Sequence, residues 1–285
     1  MNKEFLDKKQ LVDHRIEIAM ESASFKDSPL YPAINYAVTA PGKRIRGVLT
    51  LAFCKRLSVP LEEAIPFAVA LELIHAYSLV HDDLPEMDND DYRRGLPTCH
   101  KKFGNAMALL AGDAILNYSI EYILKNRKLY QPNRLLNAID VLYSSSGAEG
   151  MLGGQAIDKI GETRLLSLDE LLELHNKKTG ALLLAPILIA SALADEKNEN
   201  YVNYSKHIGL AFQIKDDILD VEGSSEKLGK KIGKDAEENK STFVSIMGLD
   251  SAKNYLRNEL LLAEKEAEND PFLVWLVQYI GGRDH

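Results

Sequence analysis

The sequence Leu73-Ile74-His75-Ala76-Tyr77-Ser78-Leu79-Val80-His81-Asp82-Asp83-Leu84-Pro85-Glu86-Met87-Asp88-Asn89-Asp90-Asp91-Tyr92-Arg93-Arg94-Gly95 decides how the chain reads. Its first half continues an apolar pattern from residue 61, with steps of three and four that predict a helix over 61–84. Pro85 disfavours the α conformation in the residue before it, so an unbroken helix through the acidic cluster is excluded. Asp88 therefore cannot be placed by helical arithmetic, and a turn must bring it back toward Asp82. Ser78 lies one turn below Asp82 and His75 two turns below, on about the same face. Five aspartates within ten residues, followed by paired arginines, form a rare arrangement. Guanidinium is planar, permanently charged and matched to phosphate oxygens. Carboxylates, a divalent metal and arginines together suit a polyanionic ligand. The plainer alternative is a surface loop with internal Asp–Arg pairs.

The same helical spacing recurs over 43–57, 105–128, 134–148, 168–194 and 198–221, and Leu6, Leu11, Ile16, Ile18 and Met20 predict a first amphipathic helix. No segment alternates in the way that predicts a hairpin. Prolines 41, 60, 132 and 271 stand where helices should start or stop, and Pro66, Pro85 and Pro186 should lie in first turns, at ends or at kinks. No linker or repeat divides the chain, so 1–285 reads as a single all-α domain, a large helical bundle. The polar stretch 222–242 is long enough to be functional.

A second acidic cluster, Asp216-Asp217-Ile218-Leu219-Asp220, closes the helix that contains Leu210, Ile214 and Ile218. At ~100° per residue Asp216 and Asp220 share a face, with Asp217 beside them. Like charges near a helix C-terminus oppose one another and the macrodipole. A cation would relieve both effects, and hard oxygen ligands suit Mg²⁺. Alone, the cluster reads more readily as a solvated acidic helix end flanked by Lys215. Short basic windows accompany the two clusters: Gly42-Lys43-Arg44-Ile45-Arg46, at the start of a helix where amides and cations can bind phosphate; Lys177-Lys178-Thr179-Gly180; Gly229-Lys230-Lys231; and Lys240-Ser241-Thr242.

Composition narrows the function further. Net charge is −8, which opposes bulk attraction to nucleic acid or anionic membrane. The charged N-terminus lacks the apolar core of a signal peptide. The apolar run 181–194 falls short of the ~20 residues a bilayer span takes. Two cysteines, Cys54 and Cys99, lack metal or redox spacing and fit a reducing cytoplasm. A soluble cytoplasmic protein without a membrane span is expected.

Taken together, these residues resemble the all-trans prenyl diphosphate synthase family, close to the bacterial farnesyl diphosphate synthases. The resemblance runs from about residue 35 to 250. It rests on Asp82-Asp83-x4-Asp88 with Arg93-Arg94-Gly95, on Gly153-Gly154-Gln155-x2-Asp158, and on Lys178-Thr179-Gly180. It continues with Asp216-Asp217-x2-Asp220 and with Leu228-Gly229-Lys230-x2-Gly233-x-Asp235-x4-Lys240-x-Thr242. It implies an isoprenoid synthase-like helical fold around a central active-site cavity, in a homodimer. It implies condensation of isopentenyl diphosphate with an allylic diphosphate. By the same resemblance Asp82, Asp88 and Asp216 ligate three Mg²⁺, supported by Asp83, Asp217 and Asp220. Arg93, Lys178, Lys230 and Lys240 contact the allylic diphosphate. Lys43, Arg46, His75 and Arg94 bind isopentenyl diphosphate, and Thr179 and Gln213 face the developing allylic cation. A bulky Tyr77 beside Ser78, with the two-residue insertion in the first motif, goes with a C15 product in the family. One departure stands out: the usual Gly-Gly-Lys-Arg-x-Arg-Pro reads Pro41-Gly42-Lys43-Arg44-Ile45-Arg46-Gly47, which touches isopentenyl binding more than the reaction. The alternatives are a geranylgeranyl diphosphate synthase, a class I terpene cyclase, and a non-catalytic partner subunit; an intact second cluster disfavours the last two.

Overall fold

Prolines 60, 132 and 271 mark helix starts as the sequence predicts, whereas Pro66 and Pro186 lie inside helices, beyond the first turn. The computed structural model describes residues 2–222 and 241–283, so Lys230, Lys231 and Lys240 lie outside the described residues. The helices are α1 (Lys3–Glu21), α2 (Tyr31–Thr39), α3 (Ile45–Arg56), α4 (Leu61–Asp82), α5 (Cys99–Phe103), α6 (Asn105–Lys125), α7 (Pro132–Ser146) and α8 (Met151–Gly161). They continue with α9 (Leu168–His175), α10 (Ala181–Ala194), α11 (Glu199–Glu222), α12 (Phe243–Met247), α13 (Leu249–Glu266) and α14 (Pro271–Gly281). Pro132 and Pro271 are first helical residues, where the missing N–H has no intrahelical partner anyway. Asp270 caps α14 by accepting the Phe272 and Leu273 amides at 2.9 and 3.0 Å. Ser167 and Glu170 close a capping box at α9.

The fold is all-α, as expected, with one correction. Tyr92–Arg93 (β1) and Leu96–Pro97 (β2) pair antiparallel as a miniature hairpin that the sequence pattern does not reveal. Strands of two residues are too short to alternate. Their turn residues Arg94 and Gly95 both take positive φ, 55° and 76°, as a tight two-residue hairpin turn demands.

Contacts group the chain into two units. The first is Lys3–Ile139 with Ile189–Glu196; the second is Asp140–Leu188 with the described part of Lys197–His285. In the first, α4 is the central rod, buried without a break from Ala64 to Ile74 and packed on α3 and α6. The buried Tyr118 of α6 donates to the Ala19 carbonyl at 2.7 Å, satisfying its hydroxyl while its ring fills the core. In the second, Leu171, Ala211, Ile214, Ile218, Phe243, Ala252 and Leu256 form a core between α9, α11, α12 and α13.

A second correction concerns 168–194. It forms one helical rod, but Asn176–Gly180 is a single π turn, a widening often found at functional sites. The rod is therefore longer than the apolar run 181–194 alone. By length and composition only, Leu61–Asp82, Asn105–Lys125 and Leu168–Ala194 are each apolar and long enough to cross a membrane. In Leu61–Asp82 most of the apolar window, 78%, is buried inside the protein.

His175, at the end of α9, is buried and stacks on Phe243 with centroids 5.2 Å apart. Burial pulls its pKa down to about 4 from the ordinary 6.5. The unfolded imidazole takes up a proton near 6.5, whereas the folded one resists until about 4. Stability contributed by neutral His175 is thus intact above 6.5 and declines as pH falls toward 4, by roughly 2–3 kcal/mol. Urea denaturation at pH 7 and 4.5 should show a steeper loss in the wild type than in His175→Gln.

Candidate active site

The first acidic cluster is shaped by the way α4 stops. Its last helical residue is Asp82, and the Asp83 amide caps it by donating to the Leu79 carbonyl at 3.1 Å. The chain then doubles back. The Asp88 amide donates to the Asp82 carbonyl at 2.9 Å, and Asn89, at φ 48°, donates to Leu84 at 3.1 Å. That turn answers the problem posed by Pro85, because it returns Asp88 to the end of the helix beside Asp82. Asp83 is only 3% exposed and accepts Arg93 Nε at 2.7 Å. Burial pushes its carboxyl up while Arg93 draws it down.

The hairpin delivers the arginines. Tyr36 donates to the Pro97 carbonyl at 2.7 Å, tying the hairpin to α2. Arg94, at the turn, donates through Nη1 to the Pro41 carbonyl at 2.6 Å. Its guanidinium lies on Gly42 so closely that a Cβ there would sit 2.4 Å from Nη1. A side chain at 42 would displace this guanidinium, which is the far end of a flexible arm. Arg46, in the first turn of α3, is drawn down to about 10 by burial but stays charged at neutral pH. His75 is held well below the usual imidazole range, first by burial and then by the charges of Arg46, Arg94, Arg93 and Arg44. An imidazole that feels several guanidinium charges lies in an electropositive field, which suits an anion. Lys43 is partly exposed on the loop before α3.

Arg44 does not share that role, although the sequence groups it with Lys43 and Arg46. It takes a left-handed conformation at φ 51°, is buried, and is spent on Asp13 at 2.8 Å and on the Ala40 carbonyl at 2.9 Å.

In the second unit, two sequence windows lock together. Lys178 Nζ donates to Asp158 Oδ2 at 2.6 Å. Gly154 packs so tightly on the π turn that a Cβ would lie 2.1 Å from the Lys178 nitrogen. Thr179 and Gly180 complete the turn, and Gly180 abuts Gly209 of α11. Gln213, Asp216 and Asp220 are partly exposed along α11. Asp217 is buried instead, its Oδ2 accepting the Phe243 amide at 2.7 Å, which ties α11 to α12. A residue that the motifs do not mark joins this group: Arg283 donates to Asp216 Oδ1 at 2.9 Å.

Among the described residues, no three His, Cys, Asp or Glu form a ready-made metal cage. The donor set nevertheless fits Mg²⁺, which keeps several waters and completes its octahedron from one or two carboxylates and phosphate oxygens. A groove of about 480 Å³ near Leu11, Leu51 and Val59 contains none of these residues.

Residues 27–274 match the polyprenyl synthetase family. The chain belongs to that family. It is 48% identical to the farnesyl diphosphate synthase of Micrococcus luteus over 236 residues, 82% of this chain and 80% of that protein. It is 43% identical to a geranylgeranyl diphosphate synthase of Cyanophora paradoxa, over 84% of this chain and 80% of that one. A solved geranyltransferase from Legionella pneumophila superposes with a TM-score of 0.87 at 29% identity, covering 98% and 96% of the two chains.

The departure at Gly47 from the family pattern now has a physical reason. Its amide donates to Glu72 Oε1 at 2.9 Å, and Glu72 is a buried carboxylate on α4 facing Arg44 at 3.8 Å. A proline there would remove the donor. Gly47→Pro, which restores the usual polyprenyl synthetase residue, should therefore lower stability by about 1–3 kcal/mol, read from the urea midpoint.

Proposed function

We propose that this protein is a magnesium-dependent trans-prenyltransferase that condenses isopentenyl diphosphate with dimethylallyl and geranyl diphosphate to farnesyl diphosphate. The observation that carries this reading is the juxtaposition at the end of α4. There Asp82 and Asp88 are drawn together by one backbone hydrogen bond, above His75, whose imidazole feels the charges of Arg46, Arg94 and Arg93. One element thus serves both a metal-bound diphosphate and a second diphosphate that needs only cations. The relatives at 48% and 43% identity, a farnesyl and a geranylgeranyl diphosphate synthase, support the same reaction.

In this reading 1–285 works as a single catalytic domain that uses both aspartate clusters. Asp82, Asp88 and Asp216 would hold three Mg²⁺, with Asp83, Asp217 and Asp220 supporting them. Bound magnesium would neutralise the charge that grows on the leaving diphosphate. Arg93 and Lys178, with Lys230 and Lys240 outside the described residues, bind the allylic diphosphate. Lys43, Arg46, His75 and Arg94 bind the isopentenyl diphosphate. The allylic C–O bond breaks with its electron pair passing to diphosphate. The alkene of isopentenyl diphosphate then forms the new C–C bond, and the departed diphosphate takes the proton that is lost. Thr179 and Gln213 offer neutral dipoles to the cation, and exclusion of water keeps it from being trapped as an alcohol.

Tyr77 supports a C15 limit. It is 3% exposed on α4, one turn below His81, and meets that ring edge-on at 5.7 Å. His81 is in turn held by the Leu109 carbonyl of α6 at 3.0 Å. Tyr77 is thus braced to stop a growing chain, whereas the Ser78 hydroxyl is turned back onto the His75 carbonyl. The long apolar helices are read as bundle helices rather than membrane spans, and the protein as cytoplasmic. The exposed Leu109 and Leu110 of α6 fit a face covered in a homodimer.

Asp82→Ala and Asp216→Ala should each reduce turnover with isopentenyl and geranyl diphosphates by at least about 10³-fold; near-normal rates in both would remove the metal assignment. Tyr77→Ala should shift the product beyond C15, measured by chromatography of the dephosphorylated alcohols. An unchanged C15 product would take Tyr77 out of that role.

A further inference from the structure

Arg283 stands just beyond α14, and three separate contacts hold its side chain. Gly281 packs its backbone on α13 so closely that a Cβ would meet Leu260 Cδ1 at 2.7 Å. The Gly282 amide then turns the chain by donating to the Gln278 carbonyl at 2.9 Å. The Arg283 guanidinium lies over the Phe212 ring, 3.9 Å from its centroid. Its Nη2 donates to the Phe212 carbonyl at 3.1 Å and to Asp216 Oδ1 at 2.9 Å. Phe212 and Asp216 are one turn apart on α11, so the fork spans that turn. The Arg283 side chain is 6% exposed, while that of Asp216 is 44% exposed.

We infer that Arg283 is a positioning residue for Asp216, fixing the orientation in which its carboxylate meets a divalent cation. The inference rests on the reading of Asp216 as a magnesium ligand. A stacked, buried guanidinium with two acceptors is costly to swing away, so it stays in place when the ion arrives. The carboxylate is pinned on its Arg283 side, and 44% of its side chain stays exposed. Groups that orient a ligating carboxylate in this way typically contribute 10–100-fold in metal affinity. The opposing effect is repulsion between guanidinium and metal ion. It is blunted because Asp216 is half exposed, where the effective dielectric is high. Asp217 is already tied to the Phe243 amide, so two of the three aspartates in this cluster have fixed orientations.

The test uses the full-length protein, Mn²⁺ as the probe ion and inorganic diphosphate, with free Mn²⁺ read by electron paramagnetic resonance below each variant's melting temperature. Arg283→Gln should weaken the Asp216-dependent Mn²⁺ site about 10-fold, and Arg283→Lys should recover part of the loss. Unchanged or tighter binding in Arg283→Gln would overturn the inference. A purely structural role would lower the melting temperature and leave Mn²⁺ affinity alone. If Arg283→Gln does not fold, Phe212→Leu removes the aromatic shelf while keeping the charge. It should weaken binding in the same direction, and no loss there would also overturn the inference. Asp216→Ala serves as the reference: if it keeps every Mn²⁺ ion, the reading of Asp216 as a ligand fails, independently of Arg283.

Discussion

Carboxylates crowded at the C-terminal end of a helix repel one another and oppose its dipole, and the candidate site is organised around that cost. Both aspartate clusters sit in such places, at the end of α4 and near the end of α11. In each, one aspartate is withdrawn into the protein. Asp83 is buried against Arg93 and Asp217 against the Phe243 amide. The neighbours that remain partly exposed, Asp82 and Asp88 in one cluster and Asp216 and Asp220 in the other, are the ones suited to a hydrated cation. Burying one carboxylate per cluster thus fixes the backbone from which the others project.

Close backbone approach is the second requirement, and glycine meets it at two decisive points. Gly42 lets the Arg94 guanidinium rest on the loop before α3, and Gly154 lets α8 touch the π turn that carries Lys178 and Thr179. The Gly154 contact is with backbone and leaves no room for a methyl group, whereas at Gly42 the neighbour is the flexible Arg94 side chain. Cations are held in the same way: Lys178 by Asp158, Arg93 by Asp83 and Arg94 by the Pro41 carbonyl. Pre-placed charges of this kind stabilise a leaving group without having to reorganise during the reaction.

Much of this was legible in the sequence, because it depends on local rules. Pro85 excluded a continuous helix, and the return of Asp88 to Asp82 is the turn that this exclusion required. Helical spacing placed Asp216 and Asp220 on one face. What stayed hidden depends on backbone conformation or on distant partners. Arg44 and Arg46 are the same residue type two positions apart, and only the left-handed φ of Arg44 sends it inward to Asp13. The hairpin under Arg93 and Arg94 has strands too short to show a period. Arg283 meets Asp216 across 67 residues, and no local pattern signals that meeting. Glu72, inside an apolar helix, gives no sequence sign that its partner is the Gly47 amide.

The proposed function requires the aspartate clusters and the basic residues near His75 to join two diphosphate-bearing substrates into a C15 chain. The most direct measurement is to incubate the wild-type protein with Mg²⁺, isotope-labelled isopentenyl diphosphate and dimethylallyl diphosphate, and to determine the chain length of the labelled product. Label should end in farnesyl diphosphate. Label accumulating in C20 would contradict the chain-length assignment. Conversion of an allylic diphosphate to a hydrocarbon, with no isopentenyl label incorporated, would contradict the reaction itself.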